Sequence, residues 1–274
     1  MLRVEGLSVS YGGKDVLKGV SLELKSGVGC LLGPNGAGKS TLMKCIAGIL
    51  RPRGRVILDD TDLLELPERE RARLVSYSPQ EFSVNFPYTV FEVVLMGRNP
   101  YVSPVTGPTT EDEKKALEAL KALGIENLAE RPFIELSGGQ KRLAMIARSI
   151  AQDGRLFLFD EPTSFLDFRN QYLVLSAIRE LGRKKLVLIS LHDPNQAFAF
   201  CDVVFLLKDG SLMASGDPKI VMTSENLSEL YGLPVAVGGV GDRIVVFPKV
   251  NRSVLRKTEL LTRSVIKDRS EARL

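Results

Sequence analysis

The sequence at residues 33–40 reads Gly33-Pro34-Asn35-Gly36-Ala37-Gly38-Lys39-Ser40. An apolar run at residues 28–32 precedes this stretch, and residues 39–50 follow it with the spacing of a helix. Glycines between a strand and a helix allow backbone N–H groups to converge on phosphate oxygens at the helix N-terminus. The pattern therefore predicts a phosphate-binding loop. An ordinary glycine-rich turn is the alternative, and the flanking strand and helix argue against it.

Two side chains at the end of this loop indicate which phosphates it binds. Lys39 is expected to reach the β- and γ-phosphates of ATP, and Ser40 is expected to ligate Mg2+, which prefers hard oxygen ligands and bridges nucleotide phosphates. ATP and Mg2+ are therefore the expected cofactors. The candidate nucleotide-binding residues here are Gly33, Pro34, Asn35, Gly36, Ala37, Gly38, Lys39, Ser40 and Thr41.

A second element is the apolar run at residues 156–159, which is followed by Asp160 and Glu161. A continuous apolar run is typical of a buried parallel strand, and α/β sheets bind ligands at the carboxyl ends of such strands. Asp160 is the expected carboxylate on the Mg2+ side, acting through water. Glu161 is expected to polarise the attacking water as general base. An Asp-Glu pair at a strand end is commonplace alone, but it is informative beside a phosphate loop.

Residues 136–140 read Leu136-Ser137-Gly138-Gly139-Gln140. Such a stretch could be only a helix cap, although its glycines also offer N–H groups to an anion. It matches in full the signature of the ATP-binding cassette (ABC) proteins, and the chain resembles this family over nearly residues 2–232. The resemblance implies a head-to-tail dimer of two copies with two composite sites. The residues expected to close over ATP held by the other copy are Ser137, Gly138, Gly139 and Gln140.

The resemblance also implies roles for four other side chains. Tyr11 resembles the aromatic residue that stacks on adenine, with a surface turn tyrosine as the alternative. Gln80 resembles the glutamine that senses Mg2+ and the attacking water. We therefore expect it to be both a metal ligand and a catalytic residue. In isolation it would be an ordinary loop residue.

Asp167, in Ser164-Phe165-Leu166-Asp167, resembles the segment by which each subunit reports to the site of the other, although the family more often has alanine at Phe165. An N-cap of the following helix is the alternative for Asp167. His192 is the only histidine of the chain and resembles the switch histidine that contacts the γ-phosphate. A solitary histidine is more often structural, but its position just past an apolar run favours the functional interpretation.

Composition excludes several other classes. The formal net charge of +4 is modest for 274 residues, so nucleic acid is not an expected partner. Three cysteines lie far apart without metal-type spacing, which favours buried small side chains over a disulfide framework or a zinc site. No secretory-signal pattern or apolar stretch of roughly 18 to 20 residues is present. We therefore expect a peripheral subunit at the cytoplasmic face of the cell membrane, attached through another subunit.

The order of these patterns predicts an α/β fold. We expect a P-loop NTPase core with a parallel sheet, an N-terminal antiparallel β lobe and a helical insert, as in ABC ATPases. The predicted ATP-binding domain covers residues 1–232, with the helical subdomain at about 82–150. Residues 233–274 form a C-terminal extension, in which a glycine-rich turn at 238–241 separates two short strands and a basic tail follows from 251.

Three further stretches, Phe91–Arg98, His192–Ala197 and Glu225–Gly232, resemble importers of iron chelates (siderophores), haem and cobalamin. The same resemblance implies integral membrane permease subunits as partners and, indirectly, an extracytoplasmic substrate-binding protein. Aromatic side chains of about residues 81–101 fit a permease contact, with packing inside the helical lobe as the alternative: Phe82, Phe86, Tyr88 and Tyr101.

Other functions stay open at this point. A different cargo, such as molybdate, tungstate, zinc, manganese or a drug, would use the same ATPase motifs, because an ATPase domain does not touch the cargo. A cassette ATPase acting on DNA or ribosomes is a second class, against which the single uninterrupted set of motifs argues. A non-hydrolysing binding module is a third, and the complete set of catalytic residues argues against it.

Overall fold

The computed structural model describes residues 1–80, 87–241 and 243–249. The chain forms two compact units, of which the first is Met1–Val221 and the second begins at Met222. The sequence prediction drew its domain boundary slightly later, after residue 232. Among the described residues no helix combines the length and the apolar character required to cross a bilayer.

The described residues form twelve strands and nine α-helices, numbered in chain order. The strands are β1 (Leu2–Tyr11), β2 (Lys14–Leu24), β3 (Val28–Leu32), β4 (Arg53–Leu58), β5 (Thr61–Asp62), β6 (Val75–Ser78), β7 (Leu156–Phe159), β8 (Leu186–Leu191), β9 (Val203–Lys208), β10 (Ser211–Gly216), β11 (Val235–Val240) and β12 (Arg243–Pro248). The helices are α1 (Lys39–Ile46), α2 (Glu68–Leu74), α3 (Val90–Leu95), α4 (Thr110–Ala122), α5 (Gly138–Gln152), α6 (Phe168–Gly182), α7 (Pro194–Phe200), α8 (Pro218–Val221) and α9 (Ser224–Tyr231).

A six-stranded sheet in the order β10-β9-β3-β8-β7-β6 forms the core. The pairings among β9, β3, β8, β7 and β6 are parallel, and β10 adds an antiparallel edge. Every residue of β3, β7 and β8 is buried, which explains their nearly continuous apolar runs. The carboxyl ends of these three neighbouring strands open onto residue 33, residue 160 and residue 192, so the predicted motifs meet at one edge.

A second sheet contains the N-terminal strands in the order β2-β1-β4-β5. Strands β1 and β2 pair antiparallel across a hairpin in which Tyr11 faces Lys14, as the sequence predicted. Strands β4, β5 and β10 were not assigned from the sequence. Leucine and valine side chains of β1 and β2 form a hydrophobic core with buried residues of α1 and of the six-stranded sheet.

Helix α1 ends earlier than its pattern predicted, at Ile46 rather than near Leu50. Gly48 has a φ of 70°, and a Cβ there would lie 2.3 Å from Nε of Arg71. The Arg71 guanidinium donates hydrogen bonds to the carbonyl oxygens of Ala47 and Gly48 at 3.1 and 3.3 Å. The helix therefore ends in a left-handed glycine whose carbonyl is satisfied by a side chain from α2.

Three helices, α3, α4 and α5, form the helical segment expected between the strands β6 and β7. Each begins with a capping box, in which an N-cap hydroxyl and an N3 side chain satisfy each other's backbone N–H groups. Inside the segment, Nε of Arg98 donates to Oδ1 of Asp112 at 2.9 Å, and both side chains are buried. The helical insert thus contains a buried ion pair.

The second unit contains α9 and an antiparallel hairpin of β11 and β12. The sequence predicted a turn at 238–241 between two strands, but Gly238 and Gly239 continue the ladder of β11 opposite Val245 and Ile244. Glycine has no side chain to oppose an extended conformation, so a glycine pair does not by itself end a strand. The basic tail at 251–274 lies outside the described residues.

Candidate functional site

The loop between β3 and α1 has backbone conformations that require glycine. Gly36 and Gly38 have φ values of 80° and 101°. A Cβ on Gly33 would lie 2.1 Å from the carbonyl oxygen of Leu207 on β9. The loop can therefore be so tightly curved only with glycines at these positions, and it directs the N-terminus of α1 into the space above the sheet.

Lys39 folds back over this loop. Its side chain is buried, and Nζ donates to the carbonyl oxygens of Gly33 at 2.6 Å and of Pro34 at 3.1 Å. Burial lowers the pKa of the Lys39 ammonium group, while the carboxylates of Glu161 and Asp160 act in the opposite direction. A positive charge is thus held beside the loop by hydrogen bonds to two carbonyl oxygens, which a phosphate could replace.

Asp160 and Glu161 follow β7 directly and are both buried. Oδ1 of Asp160 accepts a hydrogen bond from Oγ of Ser190 at 2.7 Å, and Oδ2 lies 3.5 Å from the hydroxyl of Tyr77. The Ser190 hydroxyl also accepts from the backbone N–H of Glu161 at 2.8 Å. The two acidic residues are therefore fixed to the neighbouring strand β8 by one side chain.

The Glu161 carboxylate has three side-chain neighbours. Nε2 of His192 lies 2.6 Å from Oε1. Oε2 accepts hydrogen bonds from Nε2 of Gln80 at 2.6 Å and from Oγ of Ser164 at 2.9 Å. Glu161 has a φ of 49°, which is uncommon for a residue with a side chain. Three residues separated in sequence thus converge on one carboxylate.

These groups line a cleft with a volume of about 770 Å³. Its walls are Val16, Asn35, Gly36, Ala37, Gly38, Lys39, Ser40, Thr41, Gln80, Glu161, Ser164, Phe165 and His192. The structure therefore brings the phosphate loop, Gln80, Glu161 and His192 together, with Asp160 buried next to Glu161. Backbone N–H groups, one ammonium group and two carboxylates meet here, a combination suited to binding a phosphate chain and activating water.

The signature residues do not line this cleft. Ser137 is the N-cap of α5: its Oγ accepts the N–H of Gln140 at 3.3 Å, and Oε1 of Gln140 accepts the N–H of Ser137 at 3.1 Å. Gly138 and Gly139 form the first turn of the helix. The helix-cap interpretation of this stretch thus holds in the single chain, and any contact with ATP would involve nucleotide outside this cleft.

Gly33, Pro34 and Asp160 are next to the cleft walls in sequence without lining them, and Tyr11 and Asp167 also lie outside the walls. Tyr11 is half-exposed at the end of β1. Asp167 is the N-cap of α6, and its Oδ1 accepts the N–H of Asn170 at 2.8 Å. Their nucleotide and dimer roles stay predictions.

The predicted permease contact is described only in part, because Phe82 and Phe86 lie outside the described residues. Tyr88 is partly exposed. The Tyr101 ring packs beneath the guanidinium of Arg98, whose Cζ lies 4.1 Å from the ring centroid. Its hydroxyl donates to the carbonyl oxygen of Arg73 at 3.1 Å. Tyr101 therefore has a packing role in the fold.

Sequence reasoning overlooked three residues at this site: Arg142, Ser164 and Ser190. The guanidinium of Arg142 donates to the carbonyl oxygens of Pro79, Gln80, Asp160 and Glu161. Ser190 lies two residues before His192 and Ser164 three after Glu161, so proximity to motifs was the available signal. For Arg142, the sequence offered no signal beyond its position two residues after Gln140.

Comparison with known proteins follows the same motifs. A family model described as ABC transporter matches residues 17–164. A "probable iron chelatin transport ATP-binding protein" of Helicobacter pylori is 37% identical over 252 residues, covering 90% of this chain and 99% of the relative. A hemin import ATP-binding protein of Pseudomonas fluorescens is 42% identical over 245 residues, covering 86% and 94%.

Solved structures are similar over comparable lengths. A chain from an ABC transporter assigned to the metal-chelate type, in an inward-facing conformation, has a TM-score of 0.79 and 33% identity, covering 92% of this chain and 98% of that one. An ATP-binding cassette solved as a dimer in a post-hydrolysis state, with ADP and phosphate bound, has a TM-score of 0.70 and 28% identity, covering 80% and 99%.

Proposed function

This chain belongs to the ABC transporter family of ATP-binding subunits, and we propose that ATP hydrolysis in its cleft powers import of a metal chelate through a membrane permease. The cargo class is an iron-siderophore complex, haem or cobalamin. It is supported by the iron chelatin and hemin relatives and by the metal-chelate type structure. One observation supports the ATPase mechanism above all: the carboxylate of Glu161 lines the same cleft as Lys39 and the phosphate loop.

In this mechanism the chain's own residues bind, orient and exchange a proton. Backbone N–H groups of the loop and Nζ of Lys39 bind the β- and γ-phosphates, for which Lys39 exchanges its two carbonyl partners. Glu161 orients the attacking water and accepts its proton. Oε2 of its carboxylate accepts two hydrogen bonds, from Gln80 and Ser164, whereas Oε1 has a second lone pair beside the His192 contact with which it can accept a hydrogen bond from water.

The oxygen donors around the loop fit Mg2+. Ser40 and Gln80 line the cleft with hydroxyl and amide oxygens, and Asp160 adds a buried carboxylate that Ser190 orients. These are hard donors of the type Mg2+ prefers. When bound, the ion supplies positive charge that neutralises the β- and γ-phosphate oxygens.

The working unit is a dimer attached to permease subunits, as is typical of the family. We propose that the two copies pair head to tail, so that Ser137, Gly138, Gly139 and Gln140 of one copy meet ATP in the cleft of the other. The position of these residues outside the cleft of their own chain supports this arrangement. Asp167 and Phe165 would then reach across the interface, and Tyr11 would stack on adenine.

The subunit would act as a peripheral protein on the cytoplasmic face of the membrane, and an extracytoplasmic binding protein would deliver the cargo. ATP binding closes the dimer, and product release reopens it. This cycle changes the side of the membrane to which the permease is open. Residues 1–232 would form the ATPase domain and residues 233–274 an extension.

The test uses the chain reconstituted with a candidate permease and binding protein. ATPase activity is measured with iron-siderophore, haem and cobalamin in turn, and with molybdate and zinc as controls. Stimulation by one chelate is the expected result, whereas stimulation by molybdate or zinc alone would refute the cargo. Glu161→Gln is expected to abolish turnover while ATP binding and a trapped dimer persist, and unchanged hydrolysis would refute the assigned base.

A further inference from the structure

Arg142 is the fifth residue of α5, and its side chain is surrounded by backbone carbonyl groups. Only 3% of the residue is exposed. Nη1 donates to the carbonyl oxygens of Pro79 at 2.6 Å and Gln80 at 3.0 Å. Nη2 donates to the carbonyl oxygen of Glu161 at 2.6 Å and also to that of Asp160. One guanidinium therefore has four acceptors in two different loops.

The two loops come from different strands and supply different groups to the cleft. Gln80 follows β6, and Glu161 follows β7. Their side chains meet in the hydrogen bond from Nε2 of Gln80 to Oε2 of Glu161 at 2.6 Å. Arg142 in turn donates hydrogen bonds to the backbone carbonyl oxygens of the same two residues. The side-chain contact and the backbone contacts together close a ring through Gln80, Glu161 and Arg142.

A contribution to stability alone does not account for this arrangement. Burying a charged group is costly, and a well-packed apolar side chain often gives equal or greater stability. Nε of Arg142 also lacks a hydrogen-bond partner among the residues that the structure describes. What a guanidinium adds is its planar fork of donors, which fixes the relative positions of several acceptors; an ammonium group has no such fixed geometry.

We infer that Arg142 is a positioning residue, which aligns the side chains of Gln80 and Glu161 through their backbones and links both to α5. The inference rests on the proposed ATPase role of Glu161. Because α5 begins with the signature residues 138–140 and Arg142 follows two residues later, a displacement of the N-terminal part of this helix would shift Gln80 and Glu161 together. The site that binds a partner's nucleotide is thus linked to the hydrolytic site of its own chain.

The test compares Arg142→Lys and Arg142→Gln in the full chain with Arg148→Lys as the matched control. Arg148 lies on the same helix, and within the described part of the chain it makes no hydrogen bond or ion pair with Gln80 or Glu161. ATPase activity yields kcat and KM for ATP. For Arg142→Lys we expect kcat to fall about tenfold or more, as for loss of charge-assisted hydrogen bonds that align a general base. KM should change less than about threefold, because the phosphate loop is untouched.

Amide hydrogen exchange provides a second readout that does not depend on hydrolysis. In Arg142→Lys, exchange should become faster in the two segments 75–80 and 156–163, while that of β1 and β2 stays as in the wild type. A loss of ATPase activity with these two local changes supports the inference. Unchanged kcat, or faster exchange along the whole chain, would overturn it. A wild-type chain without ATPase activity would instead contradict the proposed function, and the exchange data would still decide the role of Arg142.

Discussion

The hydroxyl of Ser190 donates a hydrogen bond of 2.7 Å to Oδ1 of Asp160. Oγ of Ser190 also accepts a hydrogen bond from the backbone N–H of Glu161 at 2.8 Å, and Ser190 is fully buried. One hydroxyl thereby orients a side chain and holds the next residue, whose φ of 49° is rare for a residue with a side chain. Ser190 thus connects the metal-side carboxylate to the backbone of the proposed general base.

Ser190→Ala should lower kcat for ATP hydrolysis about tenfold, because the N–H of Glu161 loses its buried acceptor and the base is misaligned. The Mg2+ concentration for half-maximal activity should rise, since the Asp160 carboxylate is no longer oriented. Ser76→Ala is the control: Ser76 is equally buried, but its Oγ donates to the carbonyl oxygen of Ser149 at 2.9 Å, away from the cleft. Equal ATPase activity of the two variants would contradict the role of Ser190.

Lys39→Met should weaken ATP binding at least about tenfold, because a charge-assisted hydrogen bond to phosphate is lost. Burial lowers the pKa of Lys39, which shows that holding this charge destabilises the nucleotide-free protein. Removal of the charge in Lys39→Met should therefore cost little stability. The thermal midpoint without ATP should therefore stay near that of the wild type, and the rise on adding ATP should be smaller than in the wild type. Lys44→Met, at the end of the same helix, should retain the full ATP-induced shift.

Phe165→Ala should weaken the ATP-dependent dimer. Its side chain lines the cleft and is 85% exposed in the single chain, so a partner subunit could cover it. Burial of a phenylalanine contributes about 1.5–3 kcal/mol, which corresponds to a loss of about tenfold or more in dimer affinity. Sedimentation with ATP in a Glu161→Gln background measures this affinity. Phe247→Ala, also an exposed phenylalanine, is the control, and an equal effect of both would argue against an interface at Phe165.

Asp112→Ala should destabilise the helical segment by about 3 kcal/mol at neutral pH, because Arg98 stays buried without its carboxylate. Burial opposes the shift, but hydrogen bonds from Thr109 and Arg98 hold the pKa of Asp112 below its ordinary 3.8. The wild-type advantage should therefore persist above pH 3.8 and shrink as the pH falls below it.

Urea denaturation across this pH range measures the difference between Asp112→Ala and the wild type. Glu180→Ala removes the exposed ion pair with Arg183 and should cost less than about 1 kcal/mol. A deficit of that small size for Asp112→Ala, or one that does not vary with pH, would show that the buried pair has no special role.

Local sequence patterns were sufficient to predict the strands that position the site residues. The apolar run before Gly33 and the one before Asp160 became fully buried strands at the residues expected. The hairpin at Tyr11 was also predicted correctly as local structure, and the N-cap considered as the alternative for Asp167 is present. Errors occurred where a distant side chain intervened, as at the end of α1, where Arg71 satisfies the carbonyl of Gly48.

The sequence by itself determined the phosphate loop, the acidic strand end and the family, because each depends on residues adjacent in the chain. Glycine backbone freedom and apolar periodicity are local properties that neighbouring letters express directly. Only the tertiary structure decided that Ser190 and Arg142 hold Glu161, since these contacts span 29 and 19 residues. They exist because the sheet order brings β7 between β6 and β8, and a short motif does not encode that order.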